Sequence, residues 1–534
     1  MTDARTGGVS LVDALEAVDP SSIAIDFFEA TLSYGELDRL TRSVAHGLTA
    51  RGVSPGDRVG VLFQNDPEYL VALFAAWRAG ATVVPLSPML RPREIATVLS
   101  DAGVRVVICL KSLAAAVTAS GAPLDLLVTT SERWAVSALT GPSTPSPRPD
   151  ISGAVLLEDL AQGSDRAPLV SPAMDDIAVL NYTSGTTGPP KGAMVSHRHL
   201  ATAGTLWRGM FDIGRDDVVL GLSPLFHISG MVGHIAAAVG AGAPLVLMHR
   251  FDPRTVLDAC LRTGATTTAG PITAYVALLR AGASHRELGT LTKAASGGAA
   301  VPASVAARFT DATGVRIHQG YGLTESTGIV AGTPIGVQAP VDGDSGALAV
   351  GKAVSGTEIR IVDEDGRPVA SGARGEIVVR GPQVIRGYWN RPDETAHAIR
   401  DGWLHTGDIG ILDDHGWLFV VDRLKDLIVA SGFKVWPGEV EEALHRHPDV
   451  AEVAVVGEPD DYRGETVVAH VSLTPGASVT EVGLAAHCRA ELAAYKCPTR
   501  FVVHDELPKS ATGKILRRLV RDPAPETKPA PSDA

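Results

Sequence analysis

The chain's 534 residues are 45% hydrophobic and 20% charged, the balance of a globular protein with ample core, which excludes disorder for most of its length. A formal net charge of -13 disfavours nucleic acid as a partner, because holding a phosphate backbone needs a basic face. Cys109, Cys260, Cys488 and Cys497 form no CxxC pair and no cluster with histidine, so neither a disulfide framework nor a zinc site is expected; the N-terminus MTDARTGG carries an acid, lacks an apolar stretch and fits a cytoplasmic protein.

In chain order, RVGVLF (58–63), PEYLVALFAAWRAG (67–80) and ATVVPL (81–86) read as strand, helix and strand. RVVICL (105–110), APLVLM (243–248) and TVLDACLRTGATTTAG (255–270) continue the rhythm, which predicts an α/β fold of doubly wound parallel sheets with helices on both faces. The string TGPSTPSPRPD (140–150) reads as a mobile Pro/Ser loop. Met231 to Met248 approaches the length of a membrane span, but His234, Gly233, Gly240, Gly242 and Pro244 divide it into a small-residue helix and a short strand, so no span is expected. From about Gly343, TEIRIVDEDGRPV and GEIVVRG predict a β-rich subdomain, and a hinge follows the hairpin LDDHGWLFVVDR. EVEEALHRHPDV and VAEVAVVGEPD then open a small α+β domain. The predicted units are 1–422, a mobile 423–521 and a disordered proline-rich tail, 522–534.

Four strings carry chemistry. YTSGTTGPPKGAM (182–194) suits a polyphosphate: Gly185, Gly188 and Gly192 admit close backbone approach, Thr183, Ser184, Thr186 and Thr187 supply hydroxyls, and Lys191 adds a compact charge. Its spacing fails the Walker A pattern, since Pro190 stands where that motif needs glycine. In QGYGLTES (319–326), Tyr321 suits stacking on a purine, Thr324 a phosphate contact, and Glu325 a Mg²⁺ ion that also binds substrate phosphates; an ordinary helix N-terminus accounts for Thr324 and Glu325 equally well. LHTGDIG (404–410) offers Asp408 to a ribose diol, with Arg423 within reach at the domain junction. LPKSATGKILRR (507–518) presents Lys514 on a glycine turn, or is a basic solvated turn.

With these strings in this order, the chain resembles the adenylate-forming superfamily of acyl-CoA synthetases, firefly luciferases and nonribosomal-peptide adenylation domains, from about residue 10 to 520. The resemblance implies an enzyme that uses ATP and Mg²⁺ to convert a carboxylic acid to an acyl-adenylate and then transfers it to the thiol of CoA. It implies that Lys514 meets the carboxylate and α-phosphate, that Gly298 and Ala299 in SGGAA border adenine and acyl chain, that Lys425 in DRLKD is the hinge, and that Gly432, Phe433 and Lys434 in SGFKVWPGEVE belong to the thiol channel. In LSPLFHISGMVGH, amino-acid-activating relatives carry Asp where this chain has His227, so an ammonium-bearing substrate would lie unpaired and an uncharged tail is favoured. His227 is then a gate to the acid pocket or a packed histidine. Phe226, Ser229, Met231, Val232 and Gly233 suit an apolar acyl tunnel. The expected substrate is a medium- or long-chain fatty acid, with an aryl acid next, and then loading of a carrier protein's phosphopantetheine arm; a non-catalytic acyl- or nucleotide-binding protein is the contrasting class.

Overall fold

The computed structural model describes residues 8–131, 133–136, 153–162, 169–183, 190–343, 345–423, 426–430, 433–460, 463–510 and 513–521. The predicted loop at 140–150 and tail at 522–534 lie outside these residues. Two large sheets, a smaller antiparallel sheet and a C-terminal sheet organise the chain.

In the first large sheet, Arg58–Leu62, Thr82–Leu86, Val106–Leu110, Leu126–Thr130, Val155–Leu156 and Ile177–Thr183 run parallel, and Lys191–Ser196 folds back antiparallel on Ile177–Thr183. The second joins Ile23–Phe27, Leu245–Leu247, Val219–Leu220, Thr267–Gly270, Lys293–Ser296 and Ile317–Tyr321 in parallel, with antiparallel strands at both edges. Helix Pro67–Arg78 shows why the pattern folds this way. It is apolar all round, every one of its residues is buried, and Trp77 donates its indole N–H to Ala178 O at 2.9 Å. Each large side chain it buries stabilises the fold by roughly 2 kcal/mol. One hydrophobic core unites the two sheets, and separate clusters fill the outer face of each.

Met231 to Met248 folds as expected into helix and then strand, with one difference: Met231–Ala236 is a π-helical turn, and Gly242, at φ 68°, ends the helix before Leu245–Leu247. Among the described residues no helix is long and apolar enough to cross a membrane. All four cysteines are free thiols.

The antiparallel subdomain comprises Glu358–Val362, Arg374–Arg380, Ile399–Arg400, Trp403–Leu412 and Leu418–Arg423, and its predicted DG turn is present with Gly366 at φ 78°. The last strand runs through Arg423, which pairs with Asp408. The C-terminal unit packs helices Pro437–His445 and Glu481–Glu491 on a sheet of Ile428–Ala430, Phe433–Val435, Val450–Asp460, Gly464–Leu473 and Arg500–His504.

Candidate active site

Parallel strands end on one edge of a sheet, and loops leaving that edge form the ligand crevice of open α/β folds. Four such connections open here: 221–227 after Val219–Leu220, Pro271 leading into helix Ile272–Arg280 after Thr267–Gly270, 297–299 after Lys293–Ser296, and 322–323 leading into the 3-10 turn Thr324–Ser326 after Ile317–Tyr321. The turn at Gly297 and Gly298 needs glycine twice. A Cβ on Gly297 would come within 2.7 Å of Gly320 O, and Gly298 has φ 80° and faces open space beside Ala299.

Lys191 and Glu325 meet through a residue that the sequence reading passed over. The hairpin register sets Thr183 opposite Lys191. Segment 387–389 then pairs with the Lys191 strand, Met194 N donating to Gly387 O and Trp389 N to Gly192 O. Tyr388 on this segment donates its hydroxyl to Glu325 Oε1 at 2.7 Å, and Lys191 Nζ lies 5.4 Å from its ring centroid. Burial, and next the Glu325 charge, hold the Tyr388 hydroxyl well above its ordinary pKa, so it stays a donor. Nothing local in GYWNRP marks Tyr388; only strand pairing brings it here.

Tyr321, Asp408 and Arg423 form a second group. Tyr321 donates to Asp408 Oδ2 at 2.7 Å, and Arg423 Nε reaches Asp408 Oδ1 at 3.1 Å. Asp408 is buried, and burial together with its charge raises the Tyr321 pKa well above the usual range. The carboxylate is thus anchored on both oxygens and presented from strand Trp403–Leu412.

His227 caps helix Ile228–Gly230. Its Nδ1 accepts from Ser229 N at 3.3 Å and lies 2.8 Å from Ser229 Oγ, which leaves the ring proton on Nε2. Burial, and next the Lys514 charge, lower its pKa to about 4, so the ring is neutral at physiological pH. Asn65 holds the loop in front of it: Nδ2 donates to Gly221 O at 3.2 Å and Ser223 O at 3.0 Å, and Leu225 N donates to Oδ1 at 2.9 Å. Lys514 arrives from the C-terminal unit on a turn docked against the large domain, with Thr273 Oγ1 donating to Gly513 O at 3.0 Å.

Around the junction, Arg517 reaches Asp422 at 3.3 Å, Asp426 at 2.9 Å and Glu441 at 2.7 Å. Burial raises the Asp422 pKa despite the Arg517 charge, and Asp422 Oδ2 also accepts from Gly438 N at 2.7 Å. Phe433 and Lys434 stand apart from this cluster. Phe433 is 55% exposed and stacks on Tyr495 at 4.8 Å, while Lys434 lies 3.7 Å from Glu364. Ser184, Gly185, Thr186, Thr187, Lys425 and Gly432 lie outside the described residues. Among the described residues no three His, Cys, Asp or Glu side chains cluster as a metal cage. A single oriented carboxylate, Glu325, fits an ion held chiefly by phosphates and water, which is how Mg²⁺ binds in nucleotide sites.

An AMP-binding enzyme family model matches residues 13–389, and an AMP-binding enzyme C-terminal domain model matches 439–514. A long-chain-fatty-acid–CoA ligase of Bacillus subtilis (strain 168) is 35% identical over 516 residues, spanning 93% of this chain and 91% of the relative. A feruloyl-CoA synthase of an Amycolatopsis species is 36% identical over 509 residues, 94% and 96% of the two chains. Among solved structures, the anthranilate CoA ligase AuaEII in complex with anthranoyl-AMP matches with TM-score 0.85 and 27% identity, over 96% of this chain and 97% of that one.

Proposed function

The chain belongs to the AMP-binding enzyme family and is an AMP-forming acid–thiol ligase, which activates a carboxylic acid with ATP as an acyl-adenylate and passes it to CoA, and we propose that its acid carries an uncharged apolar tail and that the residues above divide the two steps between them. The observation carrying this reading is Lys514, held on a docked turn at the loop edge where it bears on His227. A cation there stands between the acid and the α-phosphate, in the orientation the first half-reaction requires.

In that step a carboxylate oxygen attacks the α-phosphorus, the bond to the bridging oxygen breaks, and pyrophosphate leaves with both electrons. Lys191 and Lys514 neutralise charge that builds on the phosphoryl oxygens, and preorganised cations in a dry site are worth several kcal/mol, on the order of 3 for one donor. Asp408, anchored on both oxygens, accepts from the ribose hydroxyls, and Tyr321 and the Gly298–Ala299 turn border the base. Thr324 bonds a phosphate oxygen, as do the hydroxyls of 183–187. Glu325 would hold Mg²⁺, which supplies further charge neutralisation when bound.

The second step needs a thiol where Lys514 stands. Rotation of the C-terminal unit at Lys425 would withdraw Lys514 and bring up Gly432, Phe433 and Lys434; in the present orientation Phe433 stacks on Tyr495 and Lys434 lies beside Glu364. His227 is neutral and, among the described residues, the one charge that bears on it is the cation Lys514, so a substrate ammonium finds no anionic partner there, which supports a fatty acid or, as the second reading, an aryl acid. The relatives act on both kinds.

Pyrophosphate release with fatty, aryl and amino acids, each with CoA, without it, and with a phosphopantetheinylated carrier protein, tests the proposal. Acyl-CoA formed from one apolar class is the expected result. Turnover of a free amino acid, or discharge onto the carrier alone, would refute it.

A further inference from the structure

Ser223 stands on the connection that carries His227, and each of its polar groups is committed to a different element. Its N–H donates to His234 Nε2 at 2.9 Å, its hydroxyl donates to Ala269 O at 2.9 Å, and its carbonyl accepts from Asn65 Nδ2 at 3.0 Å. Ser223 is buried, and hydrogen bonds are stronger in a low-dielectric interior than in water. His234 is buried on the π-helical turn Met231–Ala236, and burial lowers its pKa to about 4, so the ring stays neutral and accepts through Nε2.

Two paths lead from Ser223 to the acid end of the site. On one side the next residue, Pro224, accepts from His227 N at 3.1 Å, and Met231 N donates to His227 O at 2.9 Å, so both backbone polar groups of His227 are held. That turn is tight, since a Cβ on Gly230 would fall 2.1 Å from Pro224 O. On the other side Ala269 belongs to strand Thr267–Gly270, and Pro271 and Thr273 just beyond it receive the Lys514 turn. Thr273 Oγ1 donates to Gly513 O at 3.0 Å, and a Cβ on Gly513 would fall 3.0 Å from Pro271 Cγ. One serine therefore joins the segment that presents His227 to the segment that docks Lys514.

We infer that Ser223, held by His234 and Asn65, is a positioning residue that keeps His227 in register with Lys514 for acyl-adenylate formation. The inference rests on the acid–thiol ligase reading and adds residues to its first step. Ser223 and His234 act through His227 and Lys514 rather than on the acid itself. The rate in a preorganised site falls steeply with misplacement, about a hundredfold for 1 Å, so a bond that sets the distance between two groups weighs more in catalysis than in stability. Thioester formation, with Lys514 withdrawn, does not need that register.

Pyrophosphate release with whichever of decanoic, hexadecanoic, benzoic and cinnamic acids the wild type uses best, thioester formation from the supplied acyl-adenylate and CoA, and the KM for ATP are measured for wild type, Ser223→Ala, His227→Ala and the double variant. Ser223→Ala is expected to lower kcat for pyrophosphate release by about tenfold, with the KM for ATP and the thioester step within about twofold of wild type. In the His227→Ala background the same substitution is expected to cost less than about twofold, because the side chain to be registered is gone. His234→Leu, which removes the acceptor for Ser223 N, should repeat the split between half-reactions, and His234→Gln, which offers an amide oxygen, should recover part of the loss. If Ser223→Ala does not fold, Ser223→Cys, with a weaker donor in the same place, carries the comparison. Equal losses in both half-reactions, or an undiminished loss on top of His227→Ala, would overturn the assignment and leave Ser223 a residue of the core. Turnover of any of these acids by the wild type sustains the ligase reading whichever way the variants fall.

Discussion

Tyr388 donates a 2.7 Å hydrogen bond to Glu325 while its ring lies 5.4 Å from Lys191 Nζ, so one side chain orients both the carboxylate and the cation expected at the triphosphate. The two contacts use different parts of the side chain and can be separated. Tyr388→Phe removes the hydroxyl and keeps the ring, which should cost about 1–2 kcal/mol in kcat/KM for ATP, roughly tenfold. Tyr388→Ala should cost more, through Lys191. Equal kinetics for wild type and both variants would remove Tyr388 from the site.

The turn carrying Lys514 docks only because residue 513 is glycine. Gly513 has φ 76°, and a Cβ would fall 2.5 Å from Thr273 Oγ1 and 3.0 Å from Pro271 Cγ. Gly513→Ala should depress adenylate formation and spare thioester formation from supplied acyl-adenylate, and Lys514→Ala should do the same more strongly, by about 10²–10³. Equal losses in both half-reactions would show that the turn does not serve the first one specifically.

Arg517 ties the last residues of the antiparallel sheet to the C-terminal unit. Removing it leaves Asp422 buried beside Glu441 with no ion-pair partner among the described residues, so Arg517→Ala should lower unfolding stability by about 3 kcal/mol. Arg517→Lys should recover only part, because one ammonium cannot serve three carboxylates as a guanidinium does. A melting temperature within a degree or so of wild type would mean that the network contributes little.

Acid should destabilise the protein through its histidines. Burial lowers the pKa of His197, His199, His227, His234, His445 and His470 from 6.5 to about 4. The unfolded chain therefore binds more protons than the folded one between these values, so stability is full above pH 6.5 and falls as the pH drops toward 4. Thermal unfolding across that window should show the decline. Lys514→Met should raise the His227 pKa, followed by NMR; an unmoved value would place the ammonium elsewhere.

The βαβ units were legible because burial on both faces leaves continuous apolar runs, as in Arg58–Leu62 and Pro67–Arg78, and because left-handed positions select glycine, as at Gly242 and Gly366. Lys191, Glu325, Asp408, Arg423 and Lys514 were legible as charged groups in distinctive local strings. Tyr388, Asn65 and Arg517 were not. Each sits in an ordinary string, and the basic LPKSATGKILRR segment that holds Arg517 also reads as a solvated turn.

Residue chemistry and short-range backbone preference are local, so the amino-acid sequence alone determined the α/β class, the small C-terminal unit and the stock of phosphate-directed groups. Which groups meet is a property of the whole packing. The register of Lys191–Ser196 against segment 387–389 seats Tyr388 between Lys191 and Glu325, and docking of Gly513 on Thr273 sets Lys514 toward His227. Those juxtapositions follow from close packing of entire sheets and domains, where each position is decided by all the others at once.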